Sequence, residues 1–552
     1  MSLEKFISIN WFMERKPYSV HTDLDIFYLK ICRDLYVLID RLVGKYDDVI
    51  DLDDEDCRDL AHVFTAYFED RVNKIGFWQS LVAAHKKLFG KRLPFFDAQQ
   101  LQQQEEEWED ILPADIHYLA YITYLQLVTD EEEKAIVYFN KPFFTELSND
   151  VFGYLDNKEE VLTTDFYEFF LVPAKDYIEF KQQLDWFTFS SYLTGISFTK
   201  KLDDIEWKLM GEDTDTSMMD RIMYGERDRL LFEVPSLYTA IFPVDILAGA
   251  MRCSDAKKEE ISNLKWRPHG IFHVQTETAT HYRFLHTSTG EEFDVLKSSF
   301  NRTFDSRKQD EYWITTLAKW NDEHNISGLC IPSPYKGEEI YHRNTEMQHR
   351  FQKHFAPYRQ HIKETALNYR KEAVKFFGGD FIIFDTGYML QEKLNEFHQW
   401  YFDTITDKTG LAEGTKPATL QLPKELLKTS YIGLFVPPLD NMQFLTRHKE
   451  LLHILQTKQP DKISPDSIEE VLPMLFDDSV GADYWFYLKK NFSIPNLSLF
   501  LKCPADAEED FEAILRIYRA EDFSPLRLPR FTTFTSERIS HEKMRDLLSE
   551  KK

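Results

Sequence analysis

Four of the chain's 17 histidines, His269, His273, His281 and His286, crowd into the stretch HGIFHVQTETATHYRFLHTSTGEEFDVLKSSF at 269–300. Neutral imidazoles are common zinc ligands, so a metal site is the first chemistry to weigh. The alternation of the segment opposes it. Phe272 and Val274, then Tyr282, Phe284 and His286, then Phe293 and Val295 share one parity, with turns near TETAT and at TSTG, which predicts a three-stranded meander with one buried face. Pairing the strands so that their apolar residues coincide sets His273 opposite Arg283 and Arg283 opposite Asp294, with His281 diagonally nearby. A permanent cation beside an imidazole opposes a metal ion, and His286 and His269 point elsewhere, so no metal is expected. The row reads as a salt-bridged face in which Arg283 and His273 are candidate contact residues of a peptide-binding β module.

Nucleophile and acid–base chemistry has two further candidates. In FIIFDTGYML at 381–390, Asp385, Thr386 and Gly387 follow an apolar strand and resemble the active-site loop of aspartic proteases, where two aspartates share a proton and activate water. YIG at 431–433 is similar to that family's downstream apolar pair and glycine. Tyr388, however, replaces the family's small residue after the glycine, the following residues read as helix, and no second Asp-Thr-Gly exists. Asp385 is thus a candidate catalytic residue that needs a homodimer. Cys330 has His324 six residues before it, the other pair of types that could make a nucleophile; a small buried residue at a turn is the simpler reading. Phosphate-loop, dinucleotide, serine-elbow and HExxH patterns are missing. In DLDDEDCRDLAH, Asp51 and Asp53 fit a calcium loop, but Asp56 and His62 stand where its glycine and final glutamate belong. That run is expected to be an acidic helix start. No catalytic residue is assigned and no cofactor is implied.

A binding surface is suggested at 343–375, RNTEMQHRFQKHFAPYRQHIKETALNYRKEAVK, which carries eight Lys or Arg against three Glu and is divided by Pro357. Arg343, Arg350, Lys353, Arg359, Lys363, Arg370 and Lys371 are its candidate contacts, either to the protein's own acidic surface or to a phosphate backbone.

These residues sit in a chain of 552 residues, 43% hydrophobic and 29% charged, long enough for three or four packed units. With 66 Lys plus Arg against 93 Asp plus Glu the formal charge is −27, which disfavours nucleic acid and anionic lipid. Five scattered cysteines without a CxxC pair point to a reducing compartment. No apolar run is long enough for a signal peptide or a span, so no membrane contact and a cytoplasmic location are expected. Apolar residues at helical spacing in 23–46 predict an amphipathic helix, with more helices at 74–89 and 114–127. The Gln/Glu-rich DAQQLQQQEEEWED reads as exposed helix or linker, and TDKTGLAEGTKPATLQLPK at 406–424 as linker.

The expected fold class is α+β, mostly helical, with a small antiparallel SH3-like or β-barrel-like module in the middle. The expected organisation is a helical domain at 1–140, a helical or irregular region at 141–262, the β module at 263–305, a mixed region with the basic helix at 306–405 and an α+β region at 406–552. TDLDIFYLKICRDLYVLI, LDWFTFSSYLTGI and the GIFHV to DVLKSSF meander together resemble a bacterial family of unknown function, of the Bacteroidota type. That resemblance implies a bacterial cytoplasmic protein and brings no site residues. The expected function is interaction or scaffolding through the β module and the basic helix, with another protein as partner. A nucleic-acid-associated protein is the first alternative, and a hydrolase centred on Asp385 the second.

Overall fold

The computed structural model describes residues 6–107, 111–128, 139, 141–158, 167–210, 216–300, 311–333, 352–409, 419–457, 463–475, 477, 479–492 and 511–529. Arg343 and Arg350 lie outside the described residues. The fold is α+β and mostly helical, with one closed five-stranded barrel and one three-stranded sheet.

The helices that build the main body are α1 (Asp23–Lys45), α2 (Asp54–Val72), α3 (Phe77–Phe89), α4 (Pro113–Leu127), α5 (Pro142–Asp156), α6 (Tyr177–Ser190), α7 (Gly195–Met210), α8 (Thr216–Glu233), α9 (Pro243–Ala250) and α10 (Asp255–Ser262). Their starts follow from the residues that precede them. Thr22 and Asp25 form a capping box on α1, and Asp53 accepts hydrogen bonds from the amides of Glu55 and Asp56 at 2.8 and 2.9 Å. The acidic run at 51–56 therefore caps α2, as its composition predicts. α4 shows no apolar stripe because nearly every residue in it is buried, and its neighbours surround it.

The barrel comprises β1 (His269–Glu277), β2 (His281–His286), β3 (Glu292–Leu296), β4 (Tyr312–Trp320) and β5 (Glu323–Pro332), in the order β1-β2-β3-β5-β4. It thus extends to Pro332, and two of its strands fall in the region expected as mixed. Asn321 and Asp322, both at positive φ, make the two-residue β4–β5 turn that the strand twist favours. Pairing is antiparallel except for one parallel bridge, Val295 to His324. Phe272, Val274, Phe284 and Val295 fill the interior together with Trp313 and Leu317. Arg283 does face Asp294, but His273 faces Leu285 rather than Arg283. The pairing lies two residues from the expected one, and a bulge between Val274 and Thr276 then brings Thr276 opposite Arg283.

The barrel is docked on the helical body by a buried ionic joint. Asp228 of α8 accepts from Arg267 Nη1 at 2.6 Å, Lys181 Nζ of α6 at 2.7 Å and Ser327 Oγ of β5 at 2.7 Å, while Arg267 also reaches Glu233 at 3.0 Å. Gly328, at φ +62, passes so close that an added Cβ would stand 2.8 Å from Asp228 Oδ2. Trp320 stacks on Phe180 at 4.4 Å and closes the apolar side of the joint.

Helix α11 (Gln352–Phe377) and α12 (Gly387–Thr409) cover one face of the sheet β6 (Phe381–Thr386), β7 (Ser430–Phe435), β8 (Gln443–Leu445). Helices α13 (His448–Gln456), α14 (Ala482–Asn491) and α15 (Phe511–Tyr518) share the main core instead. Tyr518 of α15 meets Tyr121 of α4 hydroxyl to hydroxyl at 2.7 Å.

Candidate functional site

The residues singled out by type and spacing do not gather into one place. His269 bonds Thr316 Oγ1 at 2.7 Å, His273 stacks on Tyr312 at 4.8 Å, His281 meets Glu323 at 2.8 Å, and His286 is buried beside Thr289. Each ring has its own partner. Among the described residues no group of three or more His, Cys, Asp or Glu could hold a metal ion. Cys330 and His324 lie on the same strand, β5, six residues or roughly 20 Å apart at an extended rise. They cannot form a catalytic pair. Asp385 is exposed on β6, an edge strand.

The basic tract is likewise broken up. Lys353 pairs with Glu291 of the barrel, Arg359 donates to the Pro525 carbonyl at 3.1 Å, and Arg370 meets Asp380 at 2.8 Å. Lys363 and Lys371 remain exposed.

Cations converge elsewhere, along α3. A groove of about 930 Å³ runs between α3, α9, α10 and the segment 516–525, and its lining holds Lys74, Lys87, Arg252, Lys258, Lys265 and Arg516 against one acid, Asp245. In a chain with excess negative charge this is a reversed local field. Three of the six are balanced: Lys265 by Asp245 at 2.7 Å, Arg516 by Glu512 at 2.7 Å, and Arg252 by Glu168. Lys258 donates to the Gly249 carbonyl at 2.8 Å. Lys74 and Lys87, both exposed, have no acidic partner among the described residues. On the far side of α3 a second hollow of about 650 Å³ is lined by Arg71, Lys86, Lys91 and Arg92, and Gln79 and Ala83 line both. α3 is therefore a ridge between two cationic hollows.

The floor is apolar and closely built. Ile75, Ile241 and Phe242 are buried beneath it, Arg516 lies over the Phe523 ring at 4.5 Å, and Leu88 on the lip is 37% exposed. α3 and α9 cross at a glycine: a Cβ on Gly249 would stand 2.0 Å from Ser80 Oγ, which donates to the Ile246 carbonyl at 2.6 Å. Only a residue without a side chain admits that approach.

The backbone around the groove is strained. Lys74 and Ala240, both lining it, have φ of 53° and 61°, and Tyr238 in the same loop has 63°. Non-glycine residues in this region cost on the order of 1–3 kcal/mol each and persist where the surroundings over-determine them. Here they do. The Tyr238 amide donates to the Ile517 carbonyl at 3.2 Å, its carbonyl accepts from Tyr118 Oη at 3.0 Å, and the Thr239 carbonyl accepts from His85 Nε2 at 2.9 Å. Burial pushes His85 down to about 4, so the ring is neutral and serves as that donor.

At the start of α3, Asp70 accepts from the amides of Gly76, Phe77 and Trp78 at 2.6, 3.2 and 2.6 Å and from Tyr192 at 2.6 Å. Burial raises the Asp70 carboxyl against those hydrogen bonds. The amides that a helix start offers to an anion are already occupied.

Sequence reasoning missed this site, because its lining comes from segments near 74–92, 235–265 and 516–525. The one local signal was HKKLFGKR at 85–92, four cations within eight residues.

The class that fold and site define is a mostly helical α+β protein with a cation-lined groove. A family model described as "Protein of unknown function (DUF3843)" matches residues 6–248, from before α1 into α9. Two of the quoted resembling segments fall inside that match, and the β meander falls outside it. No curated protein and no solved structure matches the chain. No helix among the described residues is long and apolar enough to cross a membrane.

Proposed function

We propose that the chain is an interaction protein whose contact surface is the groove along α3, and that its partner there is anionic. The observation that carries the reading is the pair Lys74 and Lys87, unmatched by acids among the described residues of a strongly acidic chain, beside a loop held in a strained conformation. Strain of that kind clusters where a surface must keep one shape. The β module and α11 take second place, because Arg283, Lys353 and Arg370 are spent on acids within the chain and Lys363 and Lys371 alone of the described candidates on α11 remain exposed with no acidic partner among the described residues. Hydrolysis of the aspartic type needs two carboxylates sharing a proton away from bulk water, and the exposed Asp385 lends it no support. A reducing, cytoplasmic setting is supported by Cys32, Cys57, Cys253 and Cys330, none of which is in a disulfide. A bacterial source rests on the resemblance of the quoted segments.

The test is recovery of the tagged protein from its native cells, with half the lysate treated with nuclease and wild type compared with Lys74→Glu/Lys87→Glu. A protein partner that survives nuclease and is lost from the double variant is expected. Partners kept equally by both proteins would overturn the groove as the contact surface. Loss of every partner on nuclease treatment would transfer the surface to nucleic acid.

A further inference from the structure

Resting on that reading of the groove, we infer that its occupant is a short acidic peptide segment with apolar anchors, supplied by a partner protein. Lys74 and Lys87 stand at opposite ends of α3, which has 13 residues and a length of about 20 Å. Donors so far apart do not converge on one phosphate, which is held by clustered side chains and free amides. The amides at 76–78 are spent on Asp70.

A duplex laid along the same span would bring on the order of ten phosphate charges, one per ~1.7 Å. Three groove lysines without an acidic partner among the described residues, Lys74, Lys87 and Lys258, on a chain of charge −27 are too few to hold it. An extended peptide covers about 20 Å with roughly six residues, so two or three carboxylates reach both ends without crowding charge between them. The middle of the groove asks for the opposite chemistry. Leu88 on the lip is 37% exposed, and Ile241, Phe242 and Phe523 line the floor. Nucleic-acid backbones have nothing to set against such a floor, whereas a Leu or Phe of a peptide buries there and supplies the hydrophobic part of the affinity. The lysines at the ends then fix register and speed association.

The test uses the full chain and a phage-displayed library of random twelve-residue peptides, with counter-selection on Lys74→Glu/Lys87→Glu. Both lysines are exposed, so the variant keeps its fold, which circular dichroism checks. Enriched peptides should be net negative and carry large apolar residues. A synthetic copy of the leading peptide should bind the variant at least about tenfold more weakly. Enriched peptides without an acidic bias, or with equal affinity for the variant, would overturn the inference. A random pool of single-stranded DNA is passed over the same two proteins. DNA retained by wild type and lost from the variant, with no acidic peptide enriched, would keep the groove as an anion site and reject the peptide. If neither library distinguishes the two proteins, both this inference and the proposed function fail.

Discussion

Replacing Asp228 by Ala should loosen the joint between barrel and helices by about 3 kcal/mol, at the lower end of the 3–5 kcal/mol typical of a broken buried ion pair. Asp228 receives three donors, from Arg267, Lys181 and Ser327, all within 2.7 Å. Without it, Arg267 is left with a side chain only 1% exposed and a single carboxylate, Glu233. Lys181 keeps 18% exposure and can turn toward water, which moderates the loss. The joint has its own pH signature. Burial pushes the Asp228 carboxyl up, but Arg267 and Lys181 more than offset this and hold it well below the usual carboxylate range. Because the folded value is the lower one, the stabilisation is present above pH ~4 and is lost as pH falls from there through the folded value. Urea unfolding of wild type and Asp228→Ala should show a lower midpoint with an unchanged slope. Removing both charges in Asp228→Leu/Arg267→Met should cost less than the single change, since the fully buried guanidinium is gone and the groups left behind, Glu233 and Lys181, are 12% and 18% exposed and can turn toward water. A loss below about 1 kcal/mol in Asp228→Ala, or a double variant worse than the single, would refute the reasoning.

Other consequences follow from the same geometry. Gly249→Ala drives a methyl into Ser80 and should destabilise by about 1–3 kcal/mol in thermal or urea melts, with partial recovery in Gly249→Ala/Ser80→Ala. Burial pushes His85, His398 and His448 down to about 4, below their ordinary 6.5. The folded state excludes their protons, so stability is full above pH 6.5 and falls toward pH 4; at pH 5 the fully buried His85 contributes a loss of about 2 kcal/mol and the other two less, measurable as a falling urea midpoint that His448→Phe lessens. Asp53→Ala removes the cap of α2 and should lower stability by about 1 kcal/mol, while calcium leaves the melting temperature of wild type unchanged.

What could be read from the sequence was what a local pattern decides. Alternation identified the buried face from Phe272 to Val295, and the acidic run before α2 announced a cap. The register of His273 could not be read, because the bulge after Val274 and the length of the β1–β2 turn are settled by barrel closure rather than by local preference. The hairpin YWITTLAKW–ND–EHNISGLCIP carried a turn signal in Asn321-Asp322 that was passed over, which left the barrel two strands short. Charge counting along the chain drew attention to 343–375, whose described cations are partly neutralised by Glu291 from a distant segment and by Asp380 just past the helix end. It overlooked the groove for the converse reason. Lys74, Lys258 and Arg516 are far apart in sequence and meet only through the packing of α3, α9, α10 and α15.

The central claim is that the groove along α3 is the surface in use, and it is tested most directly by lysine footprinting. An amine-reactive reagent is applied to the protein inside its native cells and to the purified chain, and modification is quantified site by site. Lys74 and Lys87 should react less in cells than in the purified protein, while Lys363 and Lys371, exposed on α11, react equally in both. Equal reactivity at Lys74 and Lys87, with protection at Lys363 and Lys371 instead, would contradict the account and return the contact surface to the basic helix.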